Sequence, residues 1–140
     1  MGLDQAMTDR IVAGVGFRRG TGADEIAALI SRALGTIGAA RTDLAAIATA
    51  ADRAAEPSIR QAASEFGLSP CPVEPRALEA CDPNIVTRSA RIERLRGVGS
   101  LAEAAALAAA GPGSHLALPR IASGGATCAL AVLHPIARHT

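Results

Sequence analysis

Apolar and polar positions recur with two different periods along this chain, and each change of period marks an element. Residues 11–15, IVAGV, are a short, apolar, partly β-branched run that stops at Gly16, the pattern of a buried strand. From Thr21 the spacing becomes helical. Ile26, Leu29, Ile30, Ala33 and Leu34 share one face, Asp24 and Glu25 favour the positive end of the dipole, and Gly35 and Gly38 end the helix. Residues 44–50, LAAIATA, read as a second buried strand, with helix the competing reading for so alanine-rich a run.

Glu56-Pro57 starts the next helix, since proline suits a first turn, and Ile59, Ala62, Ala63 and Phe66 give it an apolar face up to Gly67. A third strand is expected over 68–73, where Pro70 and Pro72 place it at a sheet edge, followed by a short helix over 75–80. Residues 81–99 carry four arginines, Arg88, Arg91, Arg94 and Arg96, and read as a surface segment with a turn or two of helix. It would dock a partner, cover a pocket, or simply present a solvated basic face. Ser100 and Glu103 match the S-x-x-E capping box ahead of an alanine-rich helix that runs to Ala110 and stops at Gly111-Pro112-Gly113. Residues 115–118 and 126–133 are two final strands joined by a Pro-, Ser- and Gly-containing loop. Strands alternating with helices, then two strands together, predict a single three-layer α/β domain. Its sheet has about five strands and is mostly parallel, with one antiparallel pair.

Composition narrows the function. The length of 140 residues with 49% hydrophobic content suits one domain over 10–140, with residues 1–9 a loose tail. A net charge of +1 and aromatics at 1% argue against nucleic acid as a partner. All 14 basic residues are arginine, which removes Schiff-base and P-loop lysine chemistry and leaves planar forks to hold any anion. Cys71, Cys81 and Cys128 have no metal spacing, and three cysteines without a leader-like apolar segment point to a reducing cytoplasm. No run is long enough to span a membrane, and neither a metal site nor a cofactor is expected.

The stretch Gly14-Val15-Gly16-Phe17-Arg18-Arg19-Gly20-Thr21 misses the dinucleotide fingerprint by one residue and has no Walker lysine. It supports an anion-friendly loop at a strand's carboxyl end; a tight turn with both arginines in solvent accounts for it equally well. His115, His134 and His139 are scattered, and no serine sits in a nucleophile elbow.

Five blocks in order resemble the CobE / CbiG C-terminal family of cobalamin biosynthesis. They are the Gly14 to Thr21 stretch, Ala48-Thr49, Glu56-Pro57, the run from Gly97-Val98-Gly99-Ser100 through Glu103 to Ala106, and the run from Ala126-Thr127-Cys128 to Ala131. Where family members often carry lysine, this chain has Arg53 and Arg120, which keeps the charge and forgoes any role for a neutral amine. The resemblance implies work on a precorrin or corrin intermediate, alone or with other cobalamin-pathway enzymes. Proteins fused to the CbiG N-terminal part are associated with opening a precorrin lactone and releasing acetaldehyde. The chain resembles the free-standing form, for which enzyme, corrinoid carrier and methyltransferase assistant all stay open.

The rim of such a ring bears acetate and propionate carboxylates. Candidate ligand-binding residues are therefore Gly16, Arg18, Arg19, Gly20, Thr21, Thr49, Arg53, Glu56, Ser100, Arg120 and Thr127, with Arg18, Arg19 and the amides near Gly20 and Thr21 meeting a carboxylate. If lactone hydrolysis occurs here, Glu103 is the candidate general base.

Overall fold

The computed structural model describes residues 10–133. Five strands form one mixed sheet: β1 (Arg10–Phe17), β2 (Leu44–Ala50), β3 (Pro70–Val73), β4 (His115–Ala122) and β5 (Ala126–Leu133), in the order β3-β2-β1-β5-β4. Helices α1 (Ala23–Thr36) and α2 (Pro57–Ser64) cover one face. The other face carries α3 (Pro75–Ala80), α4 (Ala90–Arg96) and α5 (Leu101–Ala110). The chain is thus a three-layer α/β domain.

Alternation along the strands produces the two cores. Ala13 and Val15 of β1 pack with Ile26, Ile30, Leu34 and Ile59 on the α1/α2 side, while Val12 turns to Ala105, Ala106 and Val98 on the other. The α5 layer is made almost wholly of alanine, so that helix approaches the sheet closely. A Cβ on Gly14 would collide with the Ala102 carbonyl and the Ala106 amide of α5. Gly14 is therefore a packing residue.

Three expectations change, the first being the single antiparallel pair: the sheet has two, β1 with β5 and β4 with β5. The first strand does not stop before Gly16 but runs to Phe17, because β5 pairs along its whole length and opposes Gly16 with Thr127 and Phe17 with Ala126. The strand expected over 115–118 continues to Ala122, with two register shifts against β5, one between Leu116 and Leu118 and one between Leu118 and Ile121. An edge strand with a bulge accommodates Pro119, which has no N–H for the ladder, and the connecting loop shrinks to 123–125.

β5 inserts between β1 and β4 and runs against both, so β1 to β4 all point the same way. At the opposite edge the Ala51 amide donates to the Val73 carbonyl, which faces the Cys71/Val73 positions toward β2. Pro70 and Pro72 then face outward, where a free N–H would invite another strand.

The expected tail over 1–9, and His134 and His139, lie outside the described residues. Among those described, no helix is long and apolar enough to cross a membrane.

Candidate functional site: an arginine-lined cleft

The connections β1-to-β2 and β2-to-β3 run over one face, and the β3-to-β4 connection crosses the other to reach the far edge. That reversal opens a crevice at the carboxyl ends of the strands, the place where open α/β sheets bind ligands. A cleft of about 670 Å³ lies there, between the ends of β1 and β4, the start of β5 and α4.

Six arginines line it: Arg18, Arg19, Arg53, Arg91, Arg96 and Arg120. Its apolar wall comes from Phe17, Ile92, Leu95 and Leu101. Among the described residues, the lining contains no Asp, Glu, His or Cys. A larger groove of about 970 Å³ beside β3 has Arg60 as its one charged lining residue among the described residues and gathers none of the expected site residues.

Arg18 and Arg19 are set by the turn after β1. The Arg18 amide donates to the Gly125 carbonyl (2.8 Å), and Gly20, at φ +86°, lets the Thr21 amide close back on the Arg18 carbonyl (3.1 Å). Thr21 Oγ1 also donates to the Gly125 carbonyl (3.0 Å). The Thr21 N–H thus serves the turn and does not face the cleft.

Glu25, in the first turn of α1, accepts from the Ser123 hydroxyl and the Gly125 amide, which fixes the 123–125 loop. Those two donors hold its carboxyl below the ordinary range. Gly16 gives room to Thr127, whose Oγ1 lies 2.8 Å from where a Gly16 Cβ would be.

Arg53 stacks its guanidinium 4.3 Å from the centre of the Phe17 ring and donates to the Phe17 carbonyl (2.9 Å). Its Nε lies 2.6 Å from Glu56 Oε2, a close ion pair without hydrogen-bond alignment. Arg96 reaches from α4 to Asp52 at 2.7 Å, and that hydrogen bond lowers the Asp52 carboxyl. Arg18, Arg19, Arg91 and Arg120 have no side-chain partner among the described residues, so four guanidinium forks remain uncommitted around the cleft.

Of the expected site residues, Gly16, Arg18, Arg19, Arg53, Arg120 and Thr127 converge on the cleft. Glu56 stands behind Arg53. Thr49 is fully buried and donates to the Val15 carbonyl (2.7 Å), and Ser100 is the buried N-cap of α5, accepting from the Glu103 amide (3.3 Å). Neither reaches the cleft.

Glu103 is fully buried. One carboxylate oxygen accepts from the amides of Val86 (2.6 Å) and Thr87 (3.0 Å), and the other from Arg120 (2.9 Å). Burial pushes this carboxyl up, but the amides of Arg120, Thr87 and Val86 outweigh it and leave the group below the ordinary carboxylate range. The capping box is thus half formed, and the carboxylate is held ionised and away from the cleft, a poor geometry for a general base.

Sequence reasoning passed over Phe17, Leu101 and residues 122–126 as cleft walls, and offered the segment with Arg91, Ile92 and Leu95 as a pocket cover only beside partner docking and a solvated face. The available signal was the 88–96 segment, whose arginines alternate with Ile92 and Leu95.

The sequence matches the family described as Cobalamin synthesis G C-terminus over residues 11–131. It is 37% identical to Protein CobE from Sinorhizobium sp over 121 residues, covering 86% of this chain and 79% of that protein. The fold superposes on the crystal structure of CobE, a protein from the cobalamin biosynthetic pathway, with a TM-score of 0.83 at 34% identity, over 89% of this chain and 91% of that one. It also resembles cobalamin biosynthesis protein chiG from Agrobacterium tumefaciens str. C58, with a TM-score of 0.69, 34% identity, and coverage of 86% and 96%. This arginine-lined α/β chain belongs to the CbiG C-terminal / CobE family of cobalamin biosynthesis.

Proposed function

We propose that the cleft binds the carboxylate rim of a corrin or precorrin intermediate and that the chain holds or delivers this ligand without transforming it. One observation carries the reading. The cleft combines four uncommitted arginine forks with an apolar wall of Phe17, Ile92, Leu95 and Leu101, and among the described residues its lining has no Asp, Glu, His or Cys. A ring with apolar faces and a carboxylate fringe matches both halves of that surface, and arginine forks recognise carboxylates in bidentate fashion. Lactone opening needs a base, and the described lining residues offer none. The chemistry then falls to another enzyme of the pathway, which receives the ligand from this chain.

The test is absorbance titration with cobyrinic acid, a corrin polycarboxylate, and with its neutral methyl ester. Binding of the acid on the order of micromolar, weakened by salt and by the ester, is the expected result. Equal affinity for acid and ester would remove the arginine forks from recognition. Turnover of a precorrin lactone by the isolated chain would overturn the carrier reading.

A further inference from the structure

Glu103 sits in the middle of the cleft's construction without lining it. Its two oxygens hold two separate pieces of backbone: the Val86-Thr87 stem that leads into α4, and Arg120 on the bulged part of β4. Both pieces carry cleft walls, since α4 presents Arg91, Ile92, Leu95 and Arg96, and β4 presents Arg120. α4 has no fully buried side chain and is anchored on the core only through the partly buried Ile92. Its other ties are the Asp52–Arg96 pair, the Ser89 amide on the Gly99 carbonyl, and Arg88 on Asp82 and Glu93. An ionised carboxylate accepting three amides in a fully buried position is the firmest link between these walls.

We infer that Glu103 is a positioning residue for ligand binding, fixing the spacing between the Arg120 guanidinium and the α4 arginines through the backbone of both. The inference rests on the proposed binding function for its ligand readout, and has a second readout that does not. Glutamine at 103 keeps the shape, but its three backbone partners are all N–H donors, and only the Thr87 hydroxyl, which also bonds Glu103, can turn to accept. The glutamine amide nitrogen must therefore face one of those N–H donors, and one wall is released.

The experiment is a double-mutant cycle on cobyrinic acid binding with Glu103→Gln and Arg120→Ala, combined with amide hydrogen exchange on the ligand-free proteins. Arg120→Ala keeps the backbone amide that Glu103 holds and removes the guanidinium it positions. With Arg91→Ala as a third background, the expected result is that Glu103→Gln weakens binding about tenfold in the wild type and less than about twofold in whichever of Arg120→Ala and Arg91→Ala lacks the guanidinium of the released wall. Equal losses in all three backgrounds would show a general loss of structure and overturn the inference.

In exchange, Glu103→Gln is expected to expose the amides of Val86, Thr87 or Arg120 while those of β1 and β5 keep their protection. Unchanged exchange at all three amides, or loss across the whole sheet, would refute the positioning role. If the wild type does not bind cobyrinic acid at all, the binding proposal falls, and the exchange result alone decides the role of Glu103. Should Glu103→Gln fail to fold, Glu103→Asp, which keeps the charge but is too short to reach both walls, is put through the same cycle and read by the same criteria.

Discussion

Gly14 in β1 lies against Ala102 in α5 so closely that the Ala102 carbonyl occupies the place of a Cβ. The obstacle is helix backbone, which cannot rotate aside as a side chain can. Gly14→Ala should therefore cost about 3 kcal/mol or more, by the overpacking rule for rigid surroundings. A urea melt checks this through the transition midpoint. Gly35→Ala, at an α1 position with open space around its Cβ, should be neutral or mildly stabilising in the same assay.

The four uncommitted arginines set a pattern for binding. Arg18→Ala with Arg19→Ala, Arg91→Ala and Arg120→Ala should each weaken cobyrinic acid binding about tenfold or more, the loss expected for a charge-assisted contact. Arg60→Ala, in the groove beside β3, should leave it unchanged. Titration calorimetry at two salt concentrations separates the cases.

Thr49 offers a contrast with its place among the candidate ligand-binding residues. Its hydroxyl is buried on the Val15 carbonyl, so Thr49→Val should cost about 1 kcal/mol of stability. Its affinity for cobyrinic acid should stay within about twofold, because a buried β2 hydroxyl meets no ligand. A fold-stable variant with sharply lower affinity would place the ligand deeper than the cleft.

Acid stability follows from the depressed carboxyls. Glu25, Asp52, Asp82 and Glu103 are all lowered, so the unfolded chain binds more protons than the folded one as pH falls. Their stabilisation is fully present above the ordinary carboxylate values, about 4, and is lost as pH falls through the folded values. Melting temperature should fall steeply below that pH. Asp52→Asn, which removes the partner of Arg96, should flatten that acid limb.

Cys128 is buried in β5, and burial pushes its thiol up to about 12. It should resist a thiol reagent at pH 8 in the native protein and react once denatured, whereas Cys71 and Cys81 are partly exposed. Mass spectrometry of the labelled peptides distinguishes the three.

Local pattern determined the element order. Leu44–Ala50, Pro75–Ala80 and Leu101–Ala110 all lie where periodicity, Pro57-type helix starts and the Ser100 cap placed them, because caps, turns and alternation are short-range interactions. The all-arginine base content and the edge prolines were equally readable. What the chain could not declare locally was the partner of each element. β5 inserting beside β1 is a long-range pairing, and it alone carries β1 through Gly16 and lets β4 run on through a bulge to Ala122.

The same holds for the cleft. Arg18, Arg53 and Arg120 could be suspected one at a time, but their meeting with Arg91 and Leu95 depends on how the β3-to-β4 crossover lies over the sheet. Glu103 shows the difference most sharply. Sequence made it a helix-capping residue or a base. Tertiary structure turned its carboxylate toward Val86, Thr87 and Arg120, because a buried charge goes where the most N–H donors converge.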